Sequence, residues 1–488
     1  MEKRIIVIGS GFASMAAATS LADKGYKVVV LEKNDQAGGR ARQFKTSGFT
    51  FDMGPSWYWM PDVFENYFQK FGKEIKEHYQ LDRLDPSYKI FFEDEEWNIP
   101  ANLEELKADF EKREKGSAVK LDKFLKEAEY KYRVGMDDLV HKPSRSILEF
   151  ANWKVISGVF KMQLFRSLSA HVKHYFKDDK IRQLLEFPVL FLGAEPSKTP
   201  ALYSLMNYAD IVLGTWYPQG GMHEIVKAMK KLAEDKGVEF RMQSEVKGFE
   251  IEDSKIIAAR TDSGNIEADI FVSGADYHHT EELLGDDFRN YDEQYWDSRK
   301  MAPSSLLFYL GIDRKVDNLL HHNLFFDEDF DQHAKEIYDQ PDWPSKPLFY
   351  VSAPSKTDKT VAPEGCENLF LLMPVAPNLK DDESMREKYY EMMMDRLEAR
   401  CGHKIREHVI YKRSYAHSDF KSDYHAYKGN AYGLANTLRQ TAILKPSLKS
   451  KKLKNFYYTG QLTTPGPGVP PSLISGQVVA KEVIKQLS

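Results

Sequence analysis

The chain has 488 residues, 29% of them charged and 13% aromatic, with a formal net charge of -5. That length can bury the cores of two or more domains, and the slight acidity gives no reason to expect a nucleic-acid partner. Two cysteines, Cys366 and Cys401, argue against a disulfide framework and fit a reducing cytosol, and no run of about 18 residues is continuously apolar enough to span a membrane.

The chain opens with a strand-like run over 4–8. Gly9-Ser10-Gly11-Phe12-Ala13-Ser14 follows and opens a small-residue helix through Lys24. Gly25 stands where a helix C-cap glycine belongs, and a second strand over 27–31 ends on Glu32 and Lys33. This is the order of a dinucleotide-binding βαβ unit. Gly9 permits the tight turn, and Gly11 lets the backbone approach a pyrophosphate, which the helix N-terminus would receive. Glu32 would accept hydrogen bonds from a ribose diol, while its charge repels a 2′-phosphate. The third glycine of the pattern is replaced by Ser14, the next smallest residue for a close helix–strand contact. The same stretch also has the charged start and apolar middle of a signal peptide, although Ser10, Ser14, Thr19 and Ser20 dilute it.

Gly38-Gly39-Arg40 comes next, then Phe51-Asp52-Met53-Gly54-Pro55-Ser56-Trp57. A paired glycine and an arginine just past the ribose-binding acid suit a longer cofactor that crosses the domain, as FAD does. Here the sequence resembles the flavin-dependent amine oxidase and carotenoid desaturase superfamily, whose second flavin motif reads GGR and is followed by a Gly-Pro turn beside the flavin ring. An ordinary glycine turn with a surface arginine is the rival reading.

A helix is expected over 61–71 and strands over 81–97. Asn102 and Glu105 form a capping-box start, and the helix they open ends near Gly116; Ser117 opens another to about Val134. The block 103–214 reads as mostly helical. Within it, 153–177 combines large apolar residues with Lys154, Lys161, Arg166, Lys173 and Lys177 and carries no acid. That pattern fits either a helix lying on an anionic membrane surface or a lid helix packed on the core. Thr215-Trp216-Tyr217-Pro218-Gln219-Gly220-Gly221-Met222 leads into a helix through Lys236, then a strand over 238–242 and short strands over 245–252, 255–261 and 265–273. The run 290–440 alternates strands, notably 304–312 and 368–374, with a helix over 381–400. The doublets His278-His279 and His321-His322 read as loop or strand histidines. The chain ends with a strand, then Gly460-Gln461 and Pro465-Gly466-Pro467-Gly468-Val469-Pro470-Pro471, then a helix from Ser472. The free N–H groups of that helix would face the flavin pyrimidine edge, where negative charge grows on reduction.

Over nearly its whole length the chain resembles the bacterial and fungal type of phytoene desaturase and its carotenoid relatives. The Phe51 to Ser56, Thr215 to Met222 and Pro465 to Pro470 blocks are the most specific pieces. The resemblance implies an α/β fold: an FAD-binding Rossmann-like domain of the glutathione-reductase type over 1–75, 215–290 and 441–488, an inserted α+β substrate domain over 76–102 and 291–440, and a helical, membrane-facing or lid block over 103–214. It implies that Val246 meets the adenine through its backbone and that Gly460, Gln461, Gly468, Val469, Pro470 and Ser472 surround the flavin, although many flavoproteins carry an acid where Gln461 stands. It implies FAD-dependent insertion of C=C bonds into a hydrophobic polyene, first of all phytoene to neurosporene or lycopene. Alternatives are 3,4-desaturation of a hydroxylated carotenoid, a carotenoid isomerase, a flavin amine oxidase, or a flavin-free escort protein of the same fold. No cysteine falls in a flavin motif, so the flavin is expected to be non-covalent. No second Gly-x-Gly-x-x-Gly follows a strand, so the electrons are expected to go to oxygen or a membrane quinone. The protein is expected in the cytoplasm, on the inner face of the cell membrane. No metal site and no catalytic acid or base is legible, because a hydrocarbon is held by burial, on the order of 0.8 kcal/mol per CH₂, and the flavin carries the hard chemistry.

Overall fold

The computed structural model describes residues 3–144, 146, 149, 166–190, 195–437 and 440–488. At its centre is a parallel sheet of five strands in the order Phe456–Tyr458, Ile270–Ser273, Arg4–Ile8, Lys27–Leu31, Glu239–Arg241. Both faces are covered, which is why the strands read as unbroken β-branched runs such as Ile5-Ile6-Val7 and Val28-Val29-Val30. The helix Phe12–Ala22 returns the chain from the first strand to the second and is buried throughout its length. The C-terminal helix Val469–Leu487 lies against it so closely that a Cβ on Gly476 would stand 2.0 Å from the Ala13 carbonyl oxygen.

The replaced glycine at Ser14 has a compensating partner. Ser14 Oγ donates to the Ile8 carbonyl at 3.3 Å and occupies the space a Cβ on Gly274 would need, 2.0 Å away. The glycine of the pattern has in effect moved to the neighbouring strand. Gly274→Ala alone should therefore destabilise the protein by about 1–3 kcal/mol. The double change with Ser14→Gly should recover most of that loss, as read from denaturant midpoints.

Several boundaries differ from the expectations. The predicted strand 265–273 is two strands in two sheets, Gly264–Glu267 in a three-stranded antiparallel meander and Ile270–Ser273 in the parallel sheet. Asp269 makes the break, accepting from the Arg4 amide at 2.9 Å and from Lys3 at 2.7 Å. The strand predicted from 245 begins at Gly248, because the Ser244 amide is bonded to the Glu32 carbonyl at 2.7 Å. The last helix starts at Val469, not Ser472, since Pro470 and Pro471 fit a first turn whose N–H groups are free anyway. His278 and His279 lie in the first turn of a helix, Tyr277–Leu284, not in a loop or strand.

A seven-stranded sheet runs Val409–Tyr415, Ser304–Ile312, Glu367–Val375, Phe349–Ser352, His322–Phe326, Tyr88–Phe92, Glu96–Ile99. Its two faces divide by alternation. Leu306, Phe308, Leu310, Leu369 and Leu371 pack under the helix Glu383–Cys401, while Leu307, Tyr309, Phe370 and Leu372 face the other way. The helices Leu103–Arg113, Ser117–Val134, Leu168–Tyr175 and Asp179–Leu190 cover one end of this second core.

Most of the basic apolar stretch 153–177 lies outside the described residues. Its described part is a helix, Leu168–Tyr175, that starts at a break where the Ser167 hydroxyl accepts from the Ala170 amide. Leu168, Val172 and Phe176 are buried in the core with Phe110 and Phe124. This part of the stretch has no apolar face left for a membrane.

The candidate flavin and substrate cavity

A single cavity of about 400 Å³ runs from the end of the parallel sheet to the face of the seven-stranded sheet that carries Leu307, Phe370 and Leu372. Every residue that the sequence assigns to the flavin lines it. Gly9 to Ser14 and Glu32 with Lys33 line one part, Gly38 to Arg40 and Gly54 to Trp57 another, and Val246, Gly460, Gln461, Gly468 to Pro470 and Ser472 the rest. The helices at Phe12 and Val469 both begin on this cavity, so two sets of free N–H groups and two positive dipole ends converge there. A Cβ added to Gly11 or Gly460 would meet nothing within 4 Å, so at both residues the open space is the cavity itself. An anionic, flat, extended group such as a flavin dinucleotide fits this cradle, and a side chain at either glycine would intrude on it.

Glu32 is 4% exposed and its carboxylate is already occupied. Oε2 accepts from the Ser10 amide at 2.8 Å and the Ser10 hydroxyl at 2.6 Å; Oε1 accepts from the Asn34 amide and side chain, both at 2.9 Å. Four donors match the four lone-pair sites of a carboxylate, so a ribose diol would have to take the place of the Ser10 or Asn34 side chain. Beside it stands a group of which the sequence pointed to the cofactor through Lys33 alone. Lys33 donates to the Ser422 carbonyl at 2.8 Å, His425 Nε2 lies 2.7 Å from Glu245, and His279 stacks on His425 with centroids 3.9 Å apart. Burial and the neighbouring His425 push His279 down to about 4, so it is neutral at physiological pH.

Arg40 lines the cavity, donates to the Asn430 carbonyl at 3.3 Å, and has its Nε buried without a partner among the described residues. Burial lowers its affinity for a proton, and the Asp276 charge opposes that shift. Asp276, 9% exposed, caps the helix Tyr277–Leu284 by accepting from the His278 amide at 3.0 Å. Its carboxyl is pushed up by burial and held back chiefly by Arg40. The signal for Asp276 was present in the sequence, since Gly274-Ala275-Asp276 after a strand repeats the strand, glycine, N-cap order of the chain's first turn. Arg40 and Arg42 also flank the ring of Tyr424, with guanidinium carbons 5.0 Å and 5.3 Å from its centroid.

The remaining wall is apolar and aromatic. Trp57, Trp59, Pro188 and Met206 face Leu307, Tyr350, Phe370 and Leu372 of the seven-stranded sheet. Trp59 is fixed by a buried relay in which its Nε1 donates to Thr215 Oγ1 at 2.8 Å, and Thr215 and Tyr88 donate to Asp210 at 3.1 Å and 2.7 Å. Burial raises the Asp210 carboxyl to about 6. Because this folded-state value lies above the unfolded one, the stability the group contributes is present below about pH 4 and is lost as the pH rises through about 6. Asp210→Asn should therefore match the parent near pH 4 and exceed it by about 2–3 kcal/mol near pH 8, as read from urea midpoints at the two values.

The sequence pattern of the flavin-containing amine oxidoreductase family matches residues 13–484. A carotenoid 3,4-desaturase of Haloarcula japonica is 39% identical over 487 residues, covering 99% of this chain and 98% of its own. A zeta-carotene-forming phytoene desaturase of Myxococcus xanthus is 30% identical, covering 99% and 94%. Among solved structures, an oxidoreductase from Methanosarcina mazei superimposes with a TM-score of 0.64 at 16% identity, covering 98% of this chain and 100% of that one. Putrescine oxidase bound to putrescine gives 0.61 at 13%, covering 99% of both chains. At such identities these two show the shared fold alone. The chain belongs to the flavin-containing amine oxidoreductase family, within it to the carotenoid desaturases, and is a flavin-dependent oxidoreductase.

Proposed function

We propose that the protein binds FAD without a covalent link and inserts C=C bonds into a long polyene. The observation that carries this reading is that one cavity joins the convergent helix N-termini to a long wall of Trp57, Trp59, Leu307, Phe370 and Leu372. A hydrocarbon gains affinity there by burial alone, at about 25 cal/mol per Å². Bound FAD supplies the two-electron oxidation. The chain's own residues orient, bind and exclude water. The N-termini at Phe12 and Val469 hold the phosphates and the pyrimidine edge, Arg40 adds positive charge, and the aromatic wall keeps the polyene in line. This reading assigns 1–75, 215–290 and 441–488 to the flavin, 76–102 and 291–440 to the substrate, and 103–214 to a cover over the entrance.

Non-covalent binding is supported by the cysteines, neither of which lines the cavity. Cys401 is buried under the seven-stranded sheet, and burial raises its thiol to about 12. Among the described residues no helix is long and apolar enough to cross a membrane. A peripheral, cytoplasmic enzyme that draws its substrate from the bilayer and passes electrons to a quinone or oxygen fits that observation.

The sequence motifs alone point first to phytoene. The greater identity to the Haloarcula enzyme moves our proposal to 3,4-desaturation of a hydroxylated carotenoid. The FAD-loaded protein should be incubated separately with phytoene and with a hydroxylated carotenoid, and the pigments separated. A longer conjugated chain from the hydroxylated substrate only is the expected result. Conversion of phytoene to neurosporene or lycopene would place the enzyme at the earlier step.

A further inference from the structure

Dehydrogenating a C–C bond releases a proton as well as a hydride, and the apolar wall gives that proton few places to go. Five side chains of the seven-stranded sheet line the cavity, and two of them, Ser305 and Tyr350, are polar. Tyr350 is the one joined to a base: its Oη lies 2.6 Å from His322 Nδ1. His322 has no exposure, Tyr350 is 1% exposed, and the His322 ring is stacked on Trp57 with centroids 4.1 Å and planes 11° apart. The opposite nitrogen, Nε2, is buried without a partner among the described residues. Burial and the neighbouring His321 hold the imidazole well below its ordinary value, so it stays neutral and able to accept.

Beside this pair is a second cavity of about 20 Å³, room for about one water molecule, whose lining includes Gln43, Asp52, His321 and Asn368. Ser56 lines both cavities, and Ser352, on the same strand as Tyr350, lines the smaller one. The far side of the small cavity carries His321 and Asp52. Asp52 accepts from the Met222 and His223 amides, and burial raises its carboxyl to about 6, within reach of a transient proton.

We infer that Tyr350 and His322 accept the proton released by desaturation, and that Ser56 opens its way into the side cavity. The inference rests on the polyene desaturase reading. In the step, two C–H bonds on neighbouring carbons break and one C=C bond forms. One hydrogen leaves with its electron pair, which reduces the flavin. The other leaves as a proton, and the pair it leaves behind becomes the new π bond. An O–H bond forms at Tyr350 Oη while the tyrosine's own proton crosses to His322 Nδ1, so the phenol ends neutral and the imidazole carries the charge until the side cavity takes it. A weak base suffices, because a carbon beside an electron-poor centre is strongly acidic, and a weak base also releases the proton onward.

The test uses full-length FAD-loaded protein mixed without oxygen with phosphatidylcholine vesicles carrying phytoene or a hydroxylated carotenoid, and follows flavin bleaching in H₂O and D₂O. Tyr350→Phe should bleach about 10²–10⁴-fold more slowly, with unchanged flavin content and unchanged reduction by dithionite. The solvent isotope effect of the parent should vanish. His322→Gln, which can hold the Tyr350 hydrogen bond but cannot take its proton, should be as slow. Bleaching at the parent rate by Tyr350→Phe, or recovery of rate and isotope effect in His322→Gln, would overturn the inference. Should Tyr350→Phe fail to hold flavin, Ser56→Ala decides: slowing of about tenfold or more supports the outlet, and the parent rate overturns it. A parent protein that no polyene bleaches overturns the desaturase reading and this inference with it; a parent that bleaches beside unimpaired variants overturns the inference alone.

Discussion

Arg40→Ala should purify with little or no flavin, its affinity lowered about 100-fold or more, which corresponds to about 2.7 kcal/mol. Two losses combine. The cavity loses its buried positive charge, and a charge-assisted hydrogen bond to a phosphate or ring oxygen contributes about 1.5–3 kcal/mol. Asp276 loses the charge that chiefly holds its carboxyl down. It is then driven toward the neutral form, and the cap it gives to the His278 and His279 amides weakens. Arg40→Lys should recover part of the affinity, since an ammonium supplies the charge but not the fork of donors. Equilibrium dialysis of FAD against the three proteins measures the effect, and a full flavin complement in Arg40→Ala would remove Arg40 from the site.

The second large effect belongs to a glycine that does not itself line the cavity but packs behind Ala13, which does. Gly476 lies where the helices Phe12–Ala22 and Val469–Leu487 cross, and an added Cβ would sit 2.0 Å from the Ala13 carbonyl oxygen and 2.9 Å from Ala16 Cβ. Neither obstacle is a flexible side chain, so the helices must part. Their N-termini are the two dipole ends aimed at the cavity, so parting them misplaces both. Gly476→Ala should lose about 3 kcal/mol or more of stability, a large share of the 5–15 kcal/mol typical of a folded protein, and should lose flavin in step. Gly135→Ala is the neutral control. That glycine has a helical φ of -62°, and its nearest neighbour is Leu205 Cδ2 at an ordinary 3.7 Å. Thermal unfolding of both, with and without added FAD, separates loss of fold from loss of ligand.

The parts of the molecule that were legible in the sequence are those whose partners are close along the chain. Strand, glycine turn, helix and strand from Arg4 to Leu31 form a local unit, and turn chemistry and β-branched runs write it directly. The capping residue Asn102 marks a helix start for the same reason, and Ser117 is the first residue of the next helix. What was hidden depends on contacts across the fold. Ser14 reads as a defect until Gly274 is seen opposite it, 260 positions on. The strand 304–312 is buried at every position and its run Leu306 to Leu310 does not alternate with polar residues, so nothing in that pattern tells that Leu307 faces the cavity and Leu306 the helix behind. His322 looked like an ordinary strand histidine, and it is indeed the first residue of a strand. Its bond to Tyr350 across the antiparallel pair and its stacking on Trp57 of a distant turn emerge only in three dimensions. Leu168 to Phe176 shows the converse: a basic apolar pattern that suits a membrane surface was instead matched to Phe110 and Phe124 of neighbouring helices.

On the proposed function, the phosphate-cradling loops and the apolar wall serve one reaction, the oxidation of a polyene by a flavin held in the same cavity. Its most direct test is a stoichiometric one. Oxidised protein is mixed in the absence of oxygen with a limiting amount of carotenoid in vesicles, and both flavin colour and pigment are recorded. The flavin should bleach in step with the appearance of new conjugated double bonds, one for each flavin reduced, and amines should leave it oxidised. A flavin that amines bleach while every polyene leaves it and the pigment unchanged would exclude polyene oxidation in this cavity.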